Sequence, residues 1–110
     1  MSSTSIMRAF VVAEIDIHDP QTYERYKNLA PSSIAKYGGK YVVRGATTTT
    51  LEGSWVPSRF VMLEFPTADA ARAWWASPEY APAKALRQMS STTDMILVEG
   101  PSFDPSAESR

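Results

Sequence analysis

The chain has 110 residues, of which 44% are hydrophobic and 21% charged, and this size and composition are typical of one globular domain. The formal net charge of -1 argues against a nucleic-acid surface, which needs a strong basic excess. The chain has no cysteine, and His18 is its single histidine. Disulfides, thiolate metal sites and multi-histidine metal centres are therefore excluded within one chain. We expect no metal and no cofactor.

The sequence shows neither a membrane-helix pattern nor a signal-peptide pattern. No apolar run reaches the roughly 18 residues of a membrane helix, and the serine-rich start lacks the basic and apolar regions of a signal peptide. We therefore expect a cytoplasmic protein with neither membrane nor nucleic-acid partners. Residues 7–100 form the predicted domain, while residues 1–6 and 101–110 are predicted to be flexible termini.

The first half of the chain predicts a strand, a helix and a short strand. Residues 8–17 are rich in Val and Ile, and the side chains of both strand faces are mostly apolar. This pattern is typical of a strand covered on both faces. Asp19-Pro20 is a helix N-cap signal. Pro31 is expected to kink or break that helix near Ala30. Apolar residues at helical spacing form its inner stripe: Tyr23, Tyr26, Ala30, Ile34 and Tyr37.

Gly38-Gly39 is expected to end this helix, and residues 41–45 predict the second strand. Residues 46–57 contain four threonines and predict a long hairpin arm or loop. Residues 59–65 predict a third strand that is again apolar on both alternations.

Two capping signals follow the third strand. Thr67 is the predicted cap of a helix that runs to Trp75, and Ser77-Pro78 predicts a second start that leads on to Met89. Residues 94–99 predict the last strand.

The order β-α-β-β-α-β predicts an α+β fold of the ferredoxin-like type, with strand order 4-1-3-2 and both helices on one sheet face. Because three strands are apolar on both faces, the other sheet face also needs a cover. A second copy packed face to face would supply it, so we expect a homodimer. The adjacent Trp74 and Trp75 point about 100° apart on a helix, which adds to the need for cover from two directions.

Four segments in this order resemble the domain of unknown function 1330 family: residues 37–45, 51–57, 63–66 and 73–80. The resemblance spans roughly residues 7–99. It implies the ferredoxin-like protomer and the face-to-face dimer of the dimeric α+β barrel superfamily, but no reaction. Relatives in that superfamily include cofactor-free monooxygenases, haem enzymes, isomerases and ligand-sensing domains, and choosing among them would rest on the fold alone.

Charged residues that interrupt apolar strands are the main candidates for chemistry. Glu14, Glu64 and Glu99 are expected to come close near one edge of the sheet, where neighbouring carboxylates raise one another's pKa and can transfer protons. Arg44 and Arg59 lie on successive strands and could form a fork for a small carboxylate or phosphate. The alternative is that these arginines and glutamates form structural ion pairs.

Other candidates lie outside the strands. Glu52 and Trp55 fall in the arm, where Trp55 either walls a pocket or anchors its loop. His18 lies in a turn and is a candidate base or an ordinary exposed histidine. Tyr26 and Tyr80 either belong to the core or point a hydroxyl into a cleft between helices and sheet.

Phe10 and Phe60 invite comparison with RNA-binding domains, but the basic-Gly-aromatic-Gly pattern of those domains is absent. Three hypotheses therefore remain open. The first is a cofactor-free, oxygenase-like or isomerase-like enzyme on a small anionic organic molecule, with Arg44 and Arg59 holding charge and Glu64, Glu14 or His18 moving protons. The second is a dimeric module that binds a small metabolite, and the third is a purely structural dimer.

Overall fold

A computed structural model of the protein describes residues 7–102. The elements in chain order are β1 (Met7–Ile17), α1 (Pro20–Lys36), β2 (Lys40–Ala46), β3 (Arg59–Phe65), α2 (Ala68–Trp75), α3 (Ala81–Ser90) and β4 (Ser91–Pro101). The strands form one antiparallel sheet in the order β2-β3-β1-β4. The ferredoxin-like α+β fold and the strand order are thus confirmed. Within the described part, no helix has the length and apolar character to cross a membrane.

The two faces of the sheet differ in cover. Alternate residues of β1 (Ala9, Val11, Ala13, Ile15) are buried under the helices and join the core; we call this the helix-side face. The residues between them lie on the opposite side, which we call the open face. There the β4 side chains of Ile96 and Val98 are 60% and 43% exposed. A strand that is apolar on both alternations is therefore covered on one face only within a protomer.

Helix α1 is continuous from Pro20 to Lys36, so the predicted break at Pro31 is wrong. Proline removes the N–H that would bond the carbonyl of Lys27, four residues earlier. In the structure that carbonyl accepts a hydrogen bond of 3.0 Å from Arg44 Nη2 on β2. A side chain from the neighbouring strand replaces the missing helical bond, which satisfies the freed acceptor and helps the helix to tolerate its proline.

The start and end of α1 follow the sequence signals. Asp19 accepts hydrogen bonds from the backbone N–H and the hydroxyl of Thr22, and these bonds hold the pKa of its carboxyl below the ordinary value. At the other end, Gly38 has a φ of +80°, and its N–H bonds the carbonyl of Ala35. Such left-handed backbone is the glycine C-cap that the sequence predicts.

The second helical region is divided as predicted. Thr67 caps α2 through its hydroxyl, which accepts from the N–H of Ala70. The Ser77 hydroxyl accepts from the N–H of Tyr80, so the intervening turn is capped by its own serine. Helix α3 then begins at Ala81. Trp74 is buried, whereas Trp75 is 46% exposed beside Lys84, so the tryptophan pair gives no separate support for a cover on the open face.

One boundary differs from the predictions. Strand β4 is longer at both ends than the predicted 94–99, and its last residue, Pro101, pairs with Met7. Residues 47–58 form an irregular loop, which is one of the two predicted alternatives; we call this segment the arm. The predicted flexible residues 1–6 and 103–110 lie outside the described part of the chain.

Candidate functional site

A cleft of about 440 Å³ lies on the helix-side face next to β4. Strands β1 and β4 form its floor through Val11, Thr93, Met95 and Leu97. Helices α2 and α3 form its walls, so their packing on the sheet fixes its shape. The volume is in the range of about 300–1,000 Å³ that small-molecule sites occupy.

Arg87 of α3 is the charged group that distinguishes this cleft. Its side chain lines the cavity, yet the residue is only 4% exposed. Within residues 7–102 it has no carboxylate at ion-pair distance, since the salt bridges of that region join other residues. A buried charge is costly unless it is paired, so this guanidinium has the chemistry of an anion-binding group.

A chain of hydroxyl groups supports Arg87 from behind. Its Nε donates a 3.2 Å hydrogen bond to the Tyr80 hydroxyl, which lies 3.2 Å from the Tyr26 hydroxyl. Burial, strengthened by the neighbouring Tyr80, raises the pKa of Tyr26 well above its ordinary value. Tyr26 therefore stays protonated at neutral pH, and the chain can hold Arg87 in place without carrying a negative charge.

Aromatic side chains make the α2 wall rigid. Trp74 is fully buried, with its ring centroid 4.1 Å from that of Tyr80 and 5.3 Å from that of Phe65. Its indole N–H donates to the Ser33 hydroxyl of α1 at 3.1 Å. Trp75 lines the mouth of the cleft and is partly exposed. The cleft thus combines the buried Arg87 and the exposed Arg72, which pairs with Asp69, with an aromatic and aliphatic lining.

Arg87 is not among the residues predicted from the sequence, although a signal for it exists. The buried residues of α3 are Ala83, Leu86, Arg87 and Ser90. Their spacing of three, four and seven from Ala83 is that of an inner helix face. A charged residue on such a stripe is a candidate for function.

The structure brings Arg44 and Arg59 together at the other end of the helix-side face. Both line a small cavity between α1, β2 and β3; we call it the arginine cradle. Its volume is only about 10 Å³, which is close to the space of one water molecule and too small for a carboxylate or phosphate. Neither arginine pairs with a glutamate in the described region, so the ion-pair alternative is wrong for them within the protomer.

The three strand glutamates do not converge, and that prediction is wrong. Glu14 and Glu64 both lie on the open face, but Glu64 pairs with Phe10, four residues before Glu14 on β1. That offset is about 13 Å along a strand. Glu99 pairs with Ala9 and therefore lies on the helix-side face. One residue of register decides the face on which each carboxylate lies.

Glu14 and Glu64 each have a local partner on the open face. Glu64 forms an ion pair with Arg8 at 2.9 Å and approaches Lys40 at 4.0 Å. Glu14 accepts a hydrogen bond of 3.0 Å from the backbone N–H of Ser58. Both lie across the sheet from the cleft, so they could move protons only for a ligand held on the open face.

The remaining candidates are separated from the cleft. His18 is exposed in the turn after β1, where its backbone N–H bonds the carbonyl of Ser90. Glu52 and Trp55 line a shallow depression in the arm, and Trp55 is 61% exposed. The predicted roles of His18, Glu52 and Trp55 remain predictions.

The donor set of the described chain does not assemble a metal centre. Within residues 7–102, no three His, Asp or Glu side chains gather around a common point. The lining of the cleft supplies guanidinium, indole, thioether and hydroxyl groups, which favour an organic ligand.

Residues 8–101 match the family model described as "Domain of unknown function (DUF1330)". The chain belongs to this family. The match confirms the family that the sequence motifs indicated and covers the whole sheet and its helices. No curated protein matches the sequence.

Solved structures share the fold at low identity. A protein of unknown function from Rhodopseudomonas palustris is 18% identical, with a TM-score of 0.71 over 91% of this chain and 85% of that one. A cofactor-independent oxygenase from Streptomyces nogalater, SnoaB, is 20% identical, with a TM-score of 0.60 over 92% of this chain and 99% of that one. At these identities the likeness establishes the architecture only.

Proposed function

We propose that the protein binds a small organic anion with an apolar or aromatic body in the cleft beside β4. The observation that carries this proposal is Arg87, a guanidinium buried against a cleft of about 440 Å³ without a carboxylate partner in the described chain. An anionic ligand would supply the missing opposite charge. The bidentate geometry of arginine suits a carboxylate in particular.

The apolar lining of the cleft indicates the uncharged part of the ligand. Val11, Met95 and Leu97 offer an aliphatic floor, and the half-exposed Trp75 offers an aromatic wall. Burial of a ring or short hydrocarbon there would contribute about 25 cal/mol for each Å² of apolar surface removed from water. The proposed ligand class is therefore a monocarboxylate with one ring or a short branched chain.

A homodimer through the open face is the second part of the proposal. Ile96 and Val98 expose apolar surface on a strand whose other side places Met95 and Leu97, both partly buried, against the helices and the cleft. A second copy packed face to face would cover it. Glu14 and Glu64 would then face the interior between the two sheets, where their local partners offset the cost of burial.

Enzymatic turnover is a second candidate function. SnoaB is a cofactor-independent oxygenase of the same fold, and a cleft that binds an aromatic anion is the kind of site such chemistry needs. The described lining holds cations and apolar surface but no carboxylate or imidazole, and this supports binding more directly than proton abstraction. Oxygen uptake, measured with each acid that binds, separates the two functions.

The first test is a thermal-shift screen of small aromatic and branched aliphatic carboxylates on the wild type, Arg87→Gln and Arg25→Gln. Arg25 is an exposed arginine of α1 outside the cleft and controls for the loss of one charge. A ligand at about 100 times its dissociation constant stabilises a protein by about 2.7 kcal/mol. We expect this shift in the wild type and Arg25→Gln but not in Arg87→Gln. An acid that stabilises all three proteins equally would contradict the proposal.

A further inference from the structure

The open face is acidic at one end, where the last residues of β1 pair with the first half of β4. Glu14 lies directly opposite Asp94, and Asp16 follows on the same face of β1; we call these three residues the acidic end. Within residues 7–102 none of them forms an ion pair. Like charges directly opposite each other on an antiparallel pair are destabilising, so a cover that brings a cation to this end would be favourable.

The other end of the open face is basic. Arg8 lies six positions before Glu14 on β1, which is about 20 Å along a strand. Arg8 and Lys40 share one carboxylate, that of Glu64, at 2.9 Å and 4.0 Å; we call the two cations the basic end. The guanidinium of Arg8 bonds Glu64 through Nε and Nη2, so in the described chain its Nη1 can still donate to a second carboxylate.

Apolar side chains occupy the open face between these ends. Phe10 lies opposite Val98, and Val12 lies opposite Ile96 on one side and Met62 on the other. All five side chains keep some exposure. The face is therefore an apolar centre between charges of opposite sign.

We propose that a second copy of this chain covers the open face with its strands running in the opposite direction, so that each acidic end lies over the other copy's basic end. The inference rests on the homodimer of the proposed function and adds its orientation. A two-fold axis that crosses the strands level with Val11, midway between Arg8 and Glu14, brings Arg8 of each copy over Glu14 of the other. The two apolar centres then meet, as a self-complementary interface requires.

The charges distinguish this orientation from the other one that face-to-face packing allows. A two-fold axis parallel to the strands would also bring the apolar centres together, but it would place acidic end over acidic end. Stacked sheets lie about 10 Å apart, a gap that the long side chain of Arg8 can cross. Because like charges facing each other across an interface are costly, and because charges at its margin fix register, the pattern selects the antiparallel orientation.

Cysteine cross-linking measures the orientation directly, since the chain has no cysteine of its own. Arg8→Cys and Glu14→Cys chains are mixed until subunits exchange, and are then treated with a bismaleimide that spans the spacing of about 10 Å between stacked sheets. We expect a covalent dimer from the mixture and none from either variant alone. Arg25→Cys, on the exposed surface of α1, is the control and should not link to itself.

Dimer affinity tests whether the charges matter. In analytical ultracentrifugation, Arg8→Glu should raise the dimer dissociation constant at least about tenfold, and adding Asp94→Arg to the same chain should restore most of the loss. Arg25→Glu makes the same change of charge outside the open face and should leave the constant unchanged. A dissociation constant that Arg8→Glu does not alter would overturn the charge pairing.

Failure of the orientation and failure of the dimer give different results. A wild-type protein that is monomeric in light scattering would refute the dimer and this inference with it. A dimeric protein in which the Arg8→Cys chain links to itself, or in which the mixed variants do not link, would contradict the antiparallel orientation alone.

Discussion

The two faces of the sheet differ in how far their side chains are buried. On the helix-side face, Val11 and Ile15 are 5% and 2% exposed. The side chains of Arg59 and Arg87 line cavities on this face. On the open face, Ile96 and Val98 stay accessible and the carboxylates of Glu14 and Glu64 are matched by nearby donors. The comparison indicates that the helix-side face is packed around its charged side chains, whereas the open face keeps apolar surface accessible.

The largest expected effect comes from the helix-side core. Trp74→Ala should lower the free energy of unfolding by about 3–5 kcal/mol, because it opens a cavity among packed rings and leaves Ser33 without its indole donor. Urea denaturation of the wild type and variant measures the loss. Trp75→Ala is the matched control, and its half-exposed ring should cost much less. Equal losses would mean that the two tryptophans contribute alike.

A charged substitution on the open face is expected to change the assembly of protomers rather than their core. Ile96→Lys should shift the protein from dimer to monomer in light scattering at micromolar concentration, because it would place a charge in an apolar interface. Leu29→Lys is the control, since Leu29 is similarly exposed on α1. A wild-type protein that is already monomeric would refute the dimer, as would an Ile96→Lys variant that stays dimeric.

Loss of the hydrogen bond from Arg44 to the Lys27 carbonyl is expected to have a smaller effect on stability. Arg44→Met should destabilise the protein by about 1 kcal/mol, because the acceptor freed by Pro31 loses its donor. In a Pro31→Ala background the helix can supply its own N–H to that carbonyl, so the same substitution should cost less. A double-mutant cycle from denaturation curves measures this coupling. An unchanged cost in the Pro31→Ala background would show that Arg44 does not compensate for the proline.

The smallest expected effect concerns the cap of α1 and its pH dependence. The pKa of Asp19 is lowered by its hydrogen bonds to Thr22, so its charged form stabilises the folded state. This contribution is complete above the ordinary value of 3.8 and is lost as the pH falls through the lower folded-state pKa. Asp19→Asn keeps a capping side chain but cannot ionise. Its Tm should lie slightly below that of the wild type at neutral pH, with the gap closing in acid; a gap independent of pH would contradict this account.

Much of the fold follows from local signals that the structure confirms. Asp19-Pro20 and Thr67 begin their helices as their side chains predict, since a cap depends on residues only a few positions apart. Ser77 instead caps a turn, and α3 begins only at Ala81. Pro31 failed as a helix breaker because its compensating donor, Arg44, comes from a strand beyond the end of the helix. A contact of that range cannot be inferred from a local pattern.

The candidate site was harder to predict than the fold. The faces of Glu14, Glu64 and Glu99 depend on register, and a shift of one residue reverses the face. Arg87 is a candidate because it is buried beside the cleft, and its spacing from Ala83 indicates that burial only indirectly. Arg44 and Arg59 were correctly paired by topology, but the size of their cavity depends on the bulge at Gly45.

If Arg87 recognises the charge of an organic ligand in the cleft, its loss must abolish the preference for a charged ligand. Isothermal titration calorimetry with a matched pair, the best-binding carboxylic acid and its primary amide, tests this directly. We expect the wild type to bind the carboxylate at least about tenfold more tightly, a difference of about 1.4 kcal/mol, and Arg87→Gln to bind the two ligands alike. Equal affinities in the wild type, or a preference that survives in Arg87→Gln, would contradict it.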